Sequence, residues 1–180
     1  MGEMRFDLRV TSWSPYHGAQ ILYEEGEKTK VDVKLGSAGI TVPAALVEKE
    51  GLAEILGGER HAGTIGGMFF ITNDIPAQYR CFAVFKQLAE HAAPRGFDVT
   101  GLERHHQSMV LELAYAKLAL APKDYAAYLK WRESVERSNF FQIKDDSLID
   151  KAAQRMKEIF QSLPQYLTYR NKRLVDLIQE

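Results

Sequence analysis

The chain has 180 residues, of which 46% are apolar and 26% charged, enough to build a sizeable core within one domain and too apolar for a disordered chain. Its 23 basic and 24 acidic residues give a net charge of −1, so the basic excess of a dedicated nucleic-acid binder is absent. Apolar runs fall short of the ~20 residues of a membrane helix, no signal peptide is evident, and the single cysteine, Cys81, excludes an internal disulfide. A reducing cytoplasm is the expected compartment.

Arg5 to Thr11 alternates apolar and polar residues, with Phe6, Leu8 and Val10 on one face, the period of a half-buried strand. Ser14 to Gly18 reads as a turn, Gln20 to Glu24 as a second strand, and Thr29 to Leu35, with Val31, Val33 and Leu35 alternating, as a third. Short connections between the three suggest an antiparallel meander. After Gly36 to Gly39, Ile40 to Val42 fits a short extended piece. Pro43 to Leu56 is predicted to be a helix, with Pro43 in its first turn and Gly57-Gly58 at its end. Met68 to Thr72 (MFFIT) has the length and continuity of a buried strand.

From Asp74 onward the pattern turns helical. Asp74 is the expected cap and Pro76 the expected first-turn residue of a helix reaching about Ala92. Thr100 and Glu103 form a capping-box pattern opening a helix from Gly101 to about Leu120, with Leu102, Met109, Val110, Leu113 and Leu118 facing inward. Lys123 to Arg137 is the next helix. Phe140 to Ile143 makes an apolar connector, and Asp145-Asp146 starts a helix that Leu163-Pro164 is expected to break or kink before a last segment, Gln165 to Ile178. No internal repeat is visible. The expectation is a single α+β domain over residues 1–180: an antiparallel sheet of about four strands with one helix in 1–73, then four or five helices in 74–180.

Candidate chemistry is sparse. The adjacent pair His105 and His106 project ~100° apart on a helix, so they cannot share one metal as an i, i+4 pair would. His91, Asp98 and Glu103 are the nearest further ligands, yet no zinc spacing demands a site, and half-buried polar residues are the plainer account. Gly57 to Gly67 holds five glycines around Arg60 and His61. Such a segment can turn backbone N–H groups toward a phosphate, but it lacks the Lys-Ser/Thr of a P-loop and precedes a strand. Cys81 has an apolar flank and reads as a structural thiol.

Tyr125, Tyr128 and Trp131 recur at spacings of three and share a helical face, either as core or, if exposed, as an interface of the residue types that dominate hot spots. Arg170, Lys172 and Arg173 make a basic stretch on the last helix, a solvated face or an anion site. Residues 1–73 carry 7 basic and 10 acidic residues, and residues 121–180 carry 11 and 9. That polarity is too mild to favour nucleic acid.

These features lean toward a non-enzymatic protein-binding or regulatory module, such as an inhibitor, immunity-type protein, adaptor or assembly component. Tyr125, Tyr128, Trp131, Arg170 and Arg173 are its candidate contact residues. A protein partner is expected, homo-oligomerisation is left open, and no membrane, metal or cofactor is implied. The first alternative is a small, metal-assisted enzyme using the Gly57–Gly67 segment with Arg60, His61, His105 and His106. The second is nucleic-acid binding through the basic C-terminal helices.

Overall fold

The computed structural model describes residues 7–14, 18–24, 28–49, 61–65, 68–92, 103–135 and 146–179; side chains are described for 29–49, 61–63, 69–90, 103, 105–135 and 147–164. The architecture is α+β, with a sheet in the first part and helices in the second. Strands β1 (Asp7–Ser14) and β2 (Gly18–Glu24) form an antiparallel hairpin of their own, with a register shift between Val10 and Ser12. Strands β3 (Lys28–Leu35), β4 (Ala38–Val47), β5 (Ala62–Ile65) and β6 (Met68–Thr72) build a four-stranded sheet in the order β3-β4-β6-β5. The expected three-stranded meander is therefore divided between two sheets.

Alternation accounts for β3: Val31 and Val33 are buried while Lys30, Asp32 and Lys34 are exposed. The β3–β4 hairpin closes at Leu35↔Ala38, with positive φ at Gly36, as a turn of the II′ kind requires. Gly39 has φ of 133°, and a Cβ there would lie 2.1 Å from the Val33 carbonyl oxygen.

The helix predicted from Pro43 is corrected at its start, because Pro43 to Val47 continue β4. Ala44 to Val47 pair in parallel with Phe69 to Thr72 of β6, which makes the sheet mixed rather than purely antiparallel. All four are buried, as expected of an interior strand covered on both faces. Pro43 stands opposite Lys30 of β3, one position before the β6 ladder begins. There the strand has a paired neighbour on one side only, where a missing N–H costs least. Residues 50–56 of the predicted helix lie outside the described residues. The segment read as a glycine-rich connection contains β5, which pairs antiparallel with β6 from Ala62↔Ile71 to Ile65↔Met68.

A 3₁₀ turn (Ala77–Tyr79) leads into α1 (Arg80–Gln87), which ends in a π turn (Leu88–Ala92). Pro76, rather than Asp74, occupies the cap position. The Asp74 carboxylate instead accepts a hydrogen bond from the Thr72 hydroxyl at the end of β6. Helix α2 (Arg104–Ala119) starts later than the capping-box pattern implies: Glu103 is itself the cap residue, with extended backbone. Helix α3 (Pro122–Val135) follows after two residues, with Pro122 opening it. Helix α4 (Asp146–Gln179) runs through Pro164 without ending, so of the expected break or kink the break does not occur. An interior proline costs about 3 kcal/mol. The stripe Ile149, Ala152, Met156, Ile159, Phe160 and Leu163, all buried, holds the helix down up to that point.

One apolar cluster joins sheet and helices. At its centre α2 is buried at every residue from Ser108 to Ala116, as a helix covered all round must be. It packs against α1 and α4, and α4 reaches β4. Phe85, Tyr115 and Phe160 meet there, with ring centroids 4.6–5.1 Å apart. Leu118, expected to face inward, is 47% exposed. Lys117, Leu118 and Ala119 are all exposed in the last turn, where α2 projects past the cluster.

Candidate functional site

Helix α3 meets the rest of the protein through a buried polar network set among aromatic rings. Of its fourteen residues only Tyr128 and Arg132 are buried. Four residues apart, they lie on one helical face. Both reach Glu112, in the middle of α2, which is 1% exposed. Arg132 Nε donates to Glu112 Oε1 at 2.7 Å and Nη2 donates to Oε2 at 3.3 Å, a two-pronged fork. The Tyr128 hydroxyl donates to the same Oε1. Burial first, and the neighbouring Glu112 carboxylate second, push the Tyr128 hydroxyl well above the ordinary tyrosine range, so it remains a neutral donor.

Aromatic rings surround this network. Tyr128 stands 4.9 Å from Phe82 and 5.0 Å from Tyr79, and Tyr79 lies 5.1 Å from Trp131. The sequence puts Tyr79 and Phe82 at and after the start of α1, so the groove beneath α3 has aromatic walls from α1 and an acidic floor from α2. The remaining α3 side chains are half-buried (Tyr125, Leu129, Trp131, Glu133, Val135) or exposed.

His61, just before β5, packs its ring edge-on against Trp131 at 6.2 Å. Its carbonyl accepts from the Thr72 N–H at 2.9 Å, which ties it to β6. Burial, then the positive charges of Arg132, Lys86 and Lys49, holds the imidazole well below the ordinary histidine value of 6.5. It is therefore neutral at pH 7. His105 and His106 occupy the first turn of α2 with ring centroids 5.9 Å apart. His105 Nδ1 lies 3.5 Å from Glu90 Oε1, and the buried Lys86 Nζ lies 3.2 Å from Glu90 Oε2. His61 is thus carried to the α3 aromatic cluster and His105 to the π turn after α1.

Arg60 lies outside the described residues, as do the side chains of Arg170 and Arg173 on α4. Tyr125 and Trp131 are half-buried, whereas Tyr128 is fully buried. The Tyr128 hydroxyl is committed to Glu112 and its ring lies inside the core. Among the described residues no group of three or more His, Cys, Asp or Glu could hold a metal, and no helix is long and apolar enough to cross a membrane. Cys81 is half-buried, and burial raises its thiol above the ordinary value, the opposite of nucleophilic activation.

Sequence reading missed Glu112 and Arg132. The available signal was an acid in the middle of the apolar run Met109 to Ala116. A carboxylate there must find a cation from another element, because an unpaired buried charge is prohibitively costly. No family model, curated protein or solved structure matches this chain.

Proposed function

We propose that this chain is a protein-binding module of the regulatory, inhibitor or adaptor kind, and that its recognition region centres on α3. The observation that carries this reading is the lopsided attachment of α3. The helix buries only Tyr128 and Arg132 and leaves Tyr125, Leu129 and Trp131 half-buried at the edge of the core, with Trp131 beside Tyr79. Tyr, Trp and Arg are the residues that most often dominate binding energy at protein interfaces. Rings already packed against one another lose little freedom on docking, which favours affinity.

The test is affinity capture from the source cell with the tagged chain, alongside Tyr125→Ala and Trp131→Ala variants checked for folding by circular dichroism. A partner retained by the parent chain and lost from both folded variants supports the reading. Capture of no partner, or of one retained equally by all three chains, overturns it.

A further inference from the structure

Strand β3 is the outermost strand in the order β3-β4-β6-β5, and among the described strands none pairs with it on its outer side. His61, next to β5 at the other edge of the sheet, packs against Trp131, so α3 belongs to the opposite side. We propose that the outer edge of β3 is a self-association surface, on which β3 of a second copy of this chain pairs antiparallel about a two-fold axis at Val31. The surface is separate from α3 and does not depend on its role.

The direction of the β3 backbone decides which groups are on offer. The Tyr115 hydroxyl accepts from the Lys34 N–H at 3.1 Å and donates to the Lys34 carbonyl at 2.8 Å. Both Lys34 groups therefore point away from β4. Alternate residues of an antiparallel ladder point the same way, and β3 pairs with β4 without a register shift. Asp32 and Lys30 thus direct their N–H and carbonyl groups outward as well. A strand edge of this kind is a template for a further strand. Tyr115 blunts it at Lys34 and leaves the stretch from Lys30 to Asp32.

Charge selects the occupant and its register. Lys30 and Asp32 are exposed, with the buried Val31 between them. The Asp32 carboxylate accepts from the Thr41 hydroxyl of β4, which holds it on the exposed face. Pairing about Val31 sets Lys30 of each copy opposite Asp32 of the other, twice by symmetry, with about four backbone hydrogen bonds. Opposite charges directly across a ladder attract, and like charges repel. Centring the pair on Lys30 instead sets two lysines face to face. Centring it on Asp32 sets two aspartates together and needs the Lys34 groups that Tyr115 already holds. In the register about Val31, Lys34 falls opposite Lys28 of the second copy, beyond the last ladder bond.

The experiment is sedimentation velocity of the full chain over a concentration series from about 1 μM to about 1 mM, which brackets weak and moderate association. The parent chain should pass reversibly from monomer to dimer. Each variant is checked for folding by circular dichroism. Lys30→Pro removes an outward N–H that β4 does not use, a change an edge strand tolerates, and should abolish the dimer. Asp32→Lys sets like charges across the two-fold and should weaken the dimer roughly tenfold. Lys30→Asp combined with Asp32→Lys restores opposite charges and should bring association back to within about threefold of the parent chain. Should Lys30→Pro fail to fold, the two charge variants carry the test. A parent chain that stays monomeric throughout overturns the proposal, and is the result expected if its own β2 takes the edge instead. A dimer untouched by Lys30→Pro, or left as weak by the double reversal as by Asp32→Lys alone, also overturns it. Tyr125→Ala and Trp131→Ala should leave the dimer unchanged; loss of the dimer in either would place the interface on α3 and overturn the proposal.

Discussion

Helices α2 and α3 are neighbours in sequence and opposites in attachment. Every residue of α2 from Ser108 to Ala116 is buried, and it packs on α1 and α4. Of α3 only Tyr128 and Arg132 are buried, and both end on one carboxylate. Apolar burial is additive and tolerant of small shifts, so α2 is held by many contacts that no single change removes. A buried ion pair is directional: it fixes one register of α3 against α2, and it fails as a unit when one partner is lost. The protein thus combines a helix buried all round with one that buries only two side chains, both on a single carboxylate, and rests its other apolar residues at the edge of the core.

That contrast can be broken at several points. The largest effect is expected in the core: Phe85→Ala, which removes a ring stacked on Phe160 and edge-on to Tyr115, should lower unfolding free energy by about 3–5 kcal/mol in urea titration. Arg132→Ala leaves Glu112 buried without its fork and should cost about 3 kcal/mol. That loss should appear first as release of α3, seen in a Trp13→Phe background as a red shift of Trp131 emission ahead of the far-ultraviolet transition. Tyr128→Phe removes one hydrogen bond to a charged acceptor and should cost about 1.5–2 kcal/mol by the same titration.

The triple variant Glu112→Leu, Tyr128→Phe and Arg132→Met replaces the whole latch by apolar groups, leaving no buried hydroxyl without an acceptor, and should lie within about 1 kcal/mol of the parent chain. A loss as large as that of Arg132→Ala alone would show that the ion pair itself is the stabilising element. The smallest effect is one of pH. His61 has its folded value below the unfolded one, so the unfolded chain binds the extra proton first as pH falls. Its contribution is complete above about pH 6.5 and declines below it, toward the lowered folded value. Thermal scans from pH 7.5 to 5 should show His61→Phe losing less stability over that range than the parent chain.

How much of this was legible in the sequence depended on whether one period explained each segment. Val31 and Val33 against Lys30, Asp32 and Lys34 identify β3 unaided, and the stripe from Ile149 to Leu163 identifies the first half of α4. Ala44 to Val47 did not declare itself, because a strand buried on both faces shows no alternation and reads as helix after a proline. Leu118 failed for a related reason: α2 is apolar nearly all round, so its pattern does not show where the helix leaves the core. The candidate site was half visible. The aromatic stripe of α3 could be read from spacing, but its burial at Tyr128 followed from Glu112, whose partner lies 20 residues away in sequence. Pairings of that range are set by topology, which no local pattern encodes.

If α3 is held more loosely than the core, and through Arg132, its backbone opens on its own. Amide hydrogen exchange, read helix by helix, tests it most directly. Amides of α3 should exchange through an opening of lower free energy than those of α2, and Arg132→Ala should speed α3 exchange roughly a hundredfold, the equivalent of about 3 kcal/mol, while leaving α2 nearly unchanged. Equal protection of α2 and α3 in the parent chain, or equal acceleration of both in the variant, would contradict it.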